Sequence, residues 1–334
     1  MPWPKCCKGN AVPHGNEQGQ GARRWSSRSI GAAWQHRFFY AMIRFFGRRP
    51  AYAVLSLIVW YYVLCRPDQR AKCQFYLRRR FPEASGAKQL LHSYRMSLAL
   101  GKSLIDRAVV GILGPSSTGV TLKGRDELLA LLDEGKGLIL VAAHVGSWQT
   151  TMAALDFLKQ PVSLLMQKEE GDIDRHYFEH GGRECSFRII DPRGYLGGAL
   201  EMLEVLKRGE ILSVMGDRLL GSDRSAVSVD FLGALARFPF SAYKLASVTG
   251  APIGVLLSAK VGVDQYELSL ARVIRVPGNL RRGAQSFIPY VKEFSEALED
   301  YSRQYPYQFF NFYDMWETHV PSADGMRSQD EKEI

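Results

Sequence analysis

The sequence predicts an α/β fold with a mostly parallel central sheet flanked by helices, preceded by an N-terminal helical region. Three observations predict it. Short continuous apolar runs recur, such as Gly137–Ala143, and suit strands buried on both faces. They alternate with helix-length segments over short links, the pattern of parallel strands joined by crossover helices. The chain has 334 residues, 46% hydrophobic and 11% aromatic, enough for one large core and an extension.

The elements follow in order. Phe38–Phe46 and Ala51–Leu64 read as two aromatic-rich helices, separated by the basic break Gly47-Arg48-Arg49-Pro50. Arg70–Phe81 is a basic helix stopped by Pro82, and Gln89–Ile112 an amphipathic one. The α/β pattern starts with a short strand at Val120–Leu122 and a helix at Arg125–Asp133. Strands follow at Gly137–Ala143, Val162–Met166, Phe187–Ile190, Ile211–Met215, Pro252–Leu257 and Tyr266–Leu270. Helices fall between them at Trp148–Leu158, Tyr177–Gly181, Tyr195–Arg208 and Ser241–Thr249, and Ile288–Tyr305 closes the pattern as a long helix. The organisation expected is a loose basic tail over residues 1–27, a membrane-associated helical region over 28–112, an α/β domain over 113–320 and a flexible tail over 321–334.

Charge narrows the partners. Of the 43 Lys/Arg and 34 Asp/Glu, 17 and 3 fall in the first 100 residues, so that third is near +14 and the rest near −5. A basic first third points to a flat anionic partner. The apolar run Ala51–Leu64 selects a membrane surface and excludes nucleic acid, because a nucleic-acid arm has no use for it. As a helix that run is about 21 Å long, short of the roughly 30 Å hydrocarbon core. The two helices are therefore expected to enter or lie in the bilayer more than to make one clean span. Arg37, Arg44, Arg48, Arg49, Arg66 and Arg70 would reach anionic headgroups on the cytoplasmic side. No cleavable signal pattern is evident. Cys6, Cys7, Cys65, Cys73 and Cys185 form no metal-type pair, and their odd number suits a reducing compartment.

In an open parallel sheet the site lies at the carboxyl ends of the strands. Two predicted strands end in reactive residues, one running into His144-Val145-Gly146-Ser147-Trp148-Gln149 and the other into Gly216-Asp217-Arg218. His144, Gln149 and the Gly-Asp-Arg block, then Phe231-Leu-Gly233, Arg237-Phe-Pro-Phe-Ser241 and Thr249-Gly-Ala-Pro252, follow one another along the chain. This block order resembles the lysophospholipid acyltransferase superfamily, and within it the lipid A late acyltransferases (lauroyl and myristoyl transferases). The resemblance covers roughly Trp34 to Trp316. It implies a glycerolipid acyltransferase-like fold and an enzyme that moves a fatty acyl group from an acyl carrier protein or coenzyme A thioester to a glycolipid of the lipid A type. It implies no cofactor, a monomer, and a place on the cytoplasmic face of the bacterial inner membrane.

The resemblance makes His144 the general base for the acceptor hydroxyl. The family carries Asp or Glu five residues after this His, and here Gln149 stands there. An amide oxygen can hold the imidazole tautomer, but it cannot offset the charge that develops on the ring. Asp217 is the first candidate to replace the carboxylate, because its strand is expected to lie near that of His144. Arg218, Arg224 and Arg237 are candidates to bind phosphate on the headgroup or on a phosphopantetheine arm. Gly146, Trp148 and Lys168 complete the substrate-binding set, Lys168 being the nearest cation after the next strand. The aromatic stretch Tyr305–Trp316 either lines the acyl path or packs the last helix onto the sheet.

Other readings stay open. The acceptor can be a lysophospholipid, an aminolipid or a polyene lipid. The Gln149 departure also fits a catalytically silent lipid-binding membrane protein. A hydrolase with Ser147 as nucleophile lacks the Gly-x-Ser-x-Gly elbow. Nucleotide and zinc patterns are absent from the sequence.

Overall fold

A computed structural model describes residues 33–151, 155, 158–167, 187–219, 225–278, 280 and 283–316. The expected tails at 1–27 and 321–334, the helix at Tyr177–Gly181, and Cys6, Cys7, Asp156, Lys168, Cys185 and Arg224 lie outside the described residues.

The N-terminal region is helical: α1 (Ala33–Phe46), α2 (Arg48–Cys65), α3 (Pro67–Arg80) and α4 (Gly86–Leu113). The α/β part follows as β1 (Gly119–Lys123), α5 (Arg125–Asp133), β2 (Leu138–Ala142), α6 (Trp148–Thr151), β3 (Val162–Leu165), β4 (Phe187–Ile190), α7 (Ala199–Lys207) and β5 (Ile211–Met215). It ends with β6 (Ala226–Phe231), β7 (Ala234–Pro239), α8 (Ser241–Thr249), β8 (Ile253–Lys260), β9 (Gln265–Ile274) and α9 (Ile288–Gln304). The main sheet has the order β1-β9-β8-β2-β5-β3-β4. Every pairing in it is parallel except β8 with β9. The predicted α/β class and mostly parallel sheet therefore describe the molecule.

Strand parity explains the two-sided burial. Ile139 and Val141 of β2 point into one core with Leu212 and Val214 of β5 and Val255 and Leu257 of β8. Residues of α9, including Val291, Phe294 and Leu298, cover that face. Leu138 and Leu140 point the other way, into a core closed by Leu128 and Leu131 of α5. A strand covered on both sides has no polar alternation, which is why its sequence reads as a plain apolar run.

Two segments depart from the sequence reading. The stretch from Ala226 to Pro239, expected as loop, is a separate antiparallel hairpin of β6 and β7. Its turn residues Leu232 and Gly233 have φ of 51° and 77°, the conformation of a tight hairpin turn. A leucine in that position carries none of the usual Asn-Gly signal. The helix expected from Tyr195 starts only at Ala199, because Leu196, Gly197 and Gly198 all take positive φ.

The N-terminal helices are tied to the sheet by a buried polar knot. The fully buried Asp106 of α4 accepts hydrogen bonds from Lys260 Nζ of β8 and Tyr266 Oη of β9, both at 2.6 Å. Tyr52 of α2 also donates to it, and Arg48 lies 3.5 Å away. Burial, opposed by the attraction of Asp106, holds Lys260 below the ordinary lysine range. One carboxylate thus neutralises two cations from different layers. Asp106→Ala is expected to lower stability by about 3–5 kcal/mol, the usual cost of stranding a buried charge. Urea unfolding checks this, and a wild-type midpoint would show the knot to be dispensable.

Candidate active site

Register brings the two candidate strand ends together. Ala142 of β2 is paired with Met215 of the adjacent β5. His144 and Asp217 each lie two residues past that pair, so they leave the sheet side by side. The chain runs from β2 to strands on the β5 side and later to β8 on the other side. The site therefore lies at the carboxyl end of a strand flanked by outgoing connections in both directions, where open α/β sheets form a crevice.

Two glycines allow the close approach. Gly146 has φ of 53°, and a Cβ on it would lie 2.2 Å from the Ser258 carbonyl oxygen of β8. A Cβ on Gly216 would meet Val141 Cγ1 at 2.5 Å and Phe294 Cζ at 2.9 Å. The Gly216 N–H donates to Ala142 O at 2.8 Å, which extends the β2–β5 ladder up to Asp217.

The His144 ring Nδ1 is 2.9 Å from Asp217 Oδ1, and the His144 backbone N–H donates to Oδ2 at 3.1 Å. Asp217 is 1% exposed at its side chain and the His144 ring 29%. Burial pushes the Asp217 carboxyl up, but His144 and then Arg218 outweigh it and hold it below the usual carboxylate range. The group is therefore an anion at neutral pH. An anion can only accept, so Nδ1 carries the proton, and in the neutral ring the lone pair is on Nε2. This is the arrangement a general base needs.

Backbone donors around the His are occupied. Val145 N–H donates to Ala143 O at 2.8 Å, Gly146 N–H to Gln308 O at 3.0 Å, and Ser147 N–H to Ser258 Oγ at 2.9 Å. The loop is thus a rigid holder for the ring and not an anion nest. Ser147 Oγ is buried and lies 2.8 Å from Thr150 Oγ1, an arrangement of no use to a nucleophile.

The other candidates are placed as follows. Gln149 is buried in the first turn of α6. Trp148 is half-buried and packs on the core closed by α5. Arg218 is half-buried, and its guanidinium donates to Phe310 O at 2.9 Å and sits over the Tyr313 ring. Arg237 lies on β7, opposite Ser228, with its backbone N–H bound to Met315 O at 3.0 Å. The sequence marks the aromatic stretch Tyr305–Trp316, but none of its residues is expected from it to touch the His–Asp pair. Phe310 N–H donates to His144 O and Tyr313 Oη donates to Asp217 O, both at 2.8 Å. Only their aromatic density could have signalled it. Among the described residues no group of three or more His, Cys, Asp or Glu could hold a metal ion.

The chain is similar to the phosphatidylinositol mannoside acyltransferase of Mycolicibacterium smegmatis, with 29% identity over 129 residues, which cover 38% of this chain and 42% of that protein. The match thus spans less than half of that relative's length. Residues 20–260 match the family described as bacterial lipid A biosynthesis acyltransferase, and that stretch holds Gln149 and the strands that lead to His144 and Asp217. On that match the chain belongs to the bacterial lipid A biosynthesis acyltransferase family.

Proposed function

We propose that this protein transfers a fatty acyl group from a thioester donor, an acyl carrier protein or acyl coenzyme A, to a hydroxyl of a glycolipid, with His144 as general base. The His144–Asp217 pair at the ends of adjacent central strands carries this reading. His144 Nε2 takes the proton as the acceptor oxygen attacks the thioester carbonyl. The C–O bond forms, the C–S bond breaks, and the imidazolium returns its proton to the leaving thiolate. Asp217 fixes the tautomer and stabilises the imidazolium, the task that a family carboxylate at position 149 would perform. The family description and the relative's name both support a glycolipid acceptor. The buried carboxylate beside His144 weighs against a silent lipid-binding protein. Arg218 and Arg237, with Arg224, Lys168, Gly146 and Trp148, stay as the proposed substrate-binding set.

The test is direct. Purified protein is given acyl carrier protein or coenzyme A thioesters with a lipid A precursor, a phosphatidylinositol mannoside or a lysophospholipid, and products are read by lipid mass spectrometry. One added acyl chain on a glycolipid is expected. Acylation of the lysophospholipid alone would overturn the acceptor class, and no product from any pair would overturn the activity.

The N-terminal helices support a seat on the cytoplasmic face of the bacterial inner membrane. No helix among the described residues is long and apolar enough to cross a membrane. Yet Phe45, Phe46 and Leu57 are 74%, 73% and 70% exposed, and Trp34, Phe38 and Tyr61 join them on the outer sides of α1 and α2. Exposed Arg37, Arg44 and Arg49 lie among them. Apolar rings with interspersed arginines suit a helix pair lying in the headgroup region. Vesicles containing anionic lipid are expected to bind the protein, less so at high salt. Serine at Phe45, Phe46 and Leu57 together should weaken partition at least about tenfold, since each apolar side chain contributes on the order of 1.5–3 kcal/mol when buried. Unchanged co-sedimentation of that triple variant would rule out this face.

A further inference from the structure

The residues after α9 bind both halves of the His–Asp pair. Gln308 O accepts from Gly146 N–H at 3.0 Å, and Phe309 bridges Val145 in antiparallel fashion. Phe310 sits between the two loops: its N–H donates to His144 O at 2.8 Å, and its carbonyl accepts from Arg218 at 2.9 Å. Tyr313 Oη then donates to the backbone carbonyl of Asp217 itself at 2.8 Å. The backbone of the base is thus held from one end of this segment, and that of its carboxylate from the other.

The segment is itself held in place. The Gln308 side chain closes both hydrogen bonds of the Lys260 peptide, accepting from its N–H at 2.7 Å and donating to its carbonyl at 2.9 Å. Lys260 is the residue whose ammonium lies in the Asp106 knot. Phe309 is fully buried, with its ring edge-to-face against Tyr76 and Phe231 at 5.2 and 5.8 Å. Beyond Tyr313, the Trp316 indole N–H donates to Phe231 O at 2.9 Å. A segment with so many fixed points cannot shift at one loop without straining the other.

We infer that residues 308–313 are a splint that sets the distance and angle between His144 and Asp217, with Gln308 and Tyr313 as its positioning residues. Neither side chain bonds the imidazole or the carboxylate. Each acts through the peptide that carries one of them: Tyr313 through Asp217 O, and Gln308 by fixing the backbone that binds Gly146 and His144. This rests on the reading of His144 as the base. Losing either anchor lets the ring and carboxylate drift by a fraction of an ångström, which lowers the rate of proton removal but leaves substrate binding alone.

Tyr313→Phe removes one hydroxyl, and Gln308→Met removes both hydrogen bonds to the Lys260 backbone at nearly constant volume. In each, kcat is expected to fall about 5- to 30-fold with KM for donor and acceptor within about twofold. The acidic limb of the kcat–pH curve should move down by about 0.5–1 pH unit, because the imidazolium loses part of its carboxylate contact. Loss of folded enzyme would scale the whole curve without moving that limb. The inference is overturned if both variants keep wild-type kcat, if KM rises instead, or if the limb stays where it is. His144→Ala on the same preparation separates the two readings. An inactive His144→Ala beside wild-type-like Tyr313→Phe and Gln308→Met removes the splint alone. A fully active His144→Ala removes the base and the splint with it.

Discussion

His144→Ala is expected to reduce kcat for acyl transfer by about 10²–10⁴-fold, the usual contribution of a positioned base. The expectation rests on geometry. The Nδ1 side of the ring is fixed by Asp217 at 2.9 Å, and the ring is 29% exposed, so proton transfer falls to Nε2. A hydroxyl is a poor nucleophile until its proton leaves in the transition state, so removing the imidazole should act on kcat and kcat/KM together. The fold should survive, because the contacts of this loop with its neighbours run mainly through backbone groups of residues 144–147. Circular dichroism and thermal unfolding check the second point, and a donor–acceptor acylation assay checks the first. A folded His144→Ala enzyme at wild-type rate would leave the family match standing and the base unidentified.

Asp217→Asn is the second large effect. An amide can accept from Nδ1–H or donate to it, so the tautomer is no longer dictated, and no charge meets the imidazolium. In a serine protease the equivalent change cost about 10⁴ in rate. A loss of about 10²–10⁴-fold in kcat is expected here. Gln149→Ala, which changes the position where the family carries its acid, should retain far more activity. Equal losses in the two variants would mean that Gln149 shares the orienting role. Asp217 also gives a pH signature with a definite sign. Its carboxyl is held below the ordinary value of 3.8 in the folded protein. A depressed folded value adds stability at pH above the unfolded value, and that stability is lost as pH falls through the folded one. The difference in melting temperature between wild type and Asp217→Asn should therefore be full near neutral pH and shrink in acid, below about pH 3.8. A difference that grew on acidification would contradict the ionised assignment.

Several features were legible in the chain because they depend on local pattern. The β2 run Leu138–Ala142 has apolar residues at both parities, which only a strand buried on two faces requires. His144 beyond its end is a placement that periodicity and topology together make conspicuous. The hairpin of β6 and β7 was not legible, because a leucine occupies a turn position of positive φ and the alternation Val227, Val229, Phe231 lies among residues that read as loop. The delayed start of α7 follows from the same blindness to backbone dihedrals at Leu196.

Determined by the sequence alone were the α/β class, the basic and aromatic character of the first third, and the candidacy of His144 at the end of a buried strand. These rest on residue type and short-range spacing, which a linear reading contains. Tertiary structure alone decided that Asp217 stands beside the imidazole, since 73 residues separate them and only the register of β2 against β5 cancels that distance. It also decided that Gln308 and Tyr313 brace the pair, through backbone carbonyls and N–H groups that every residue has and that no sequence can mark.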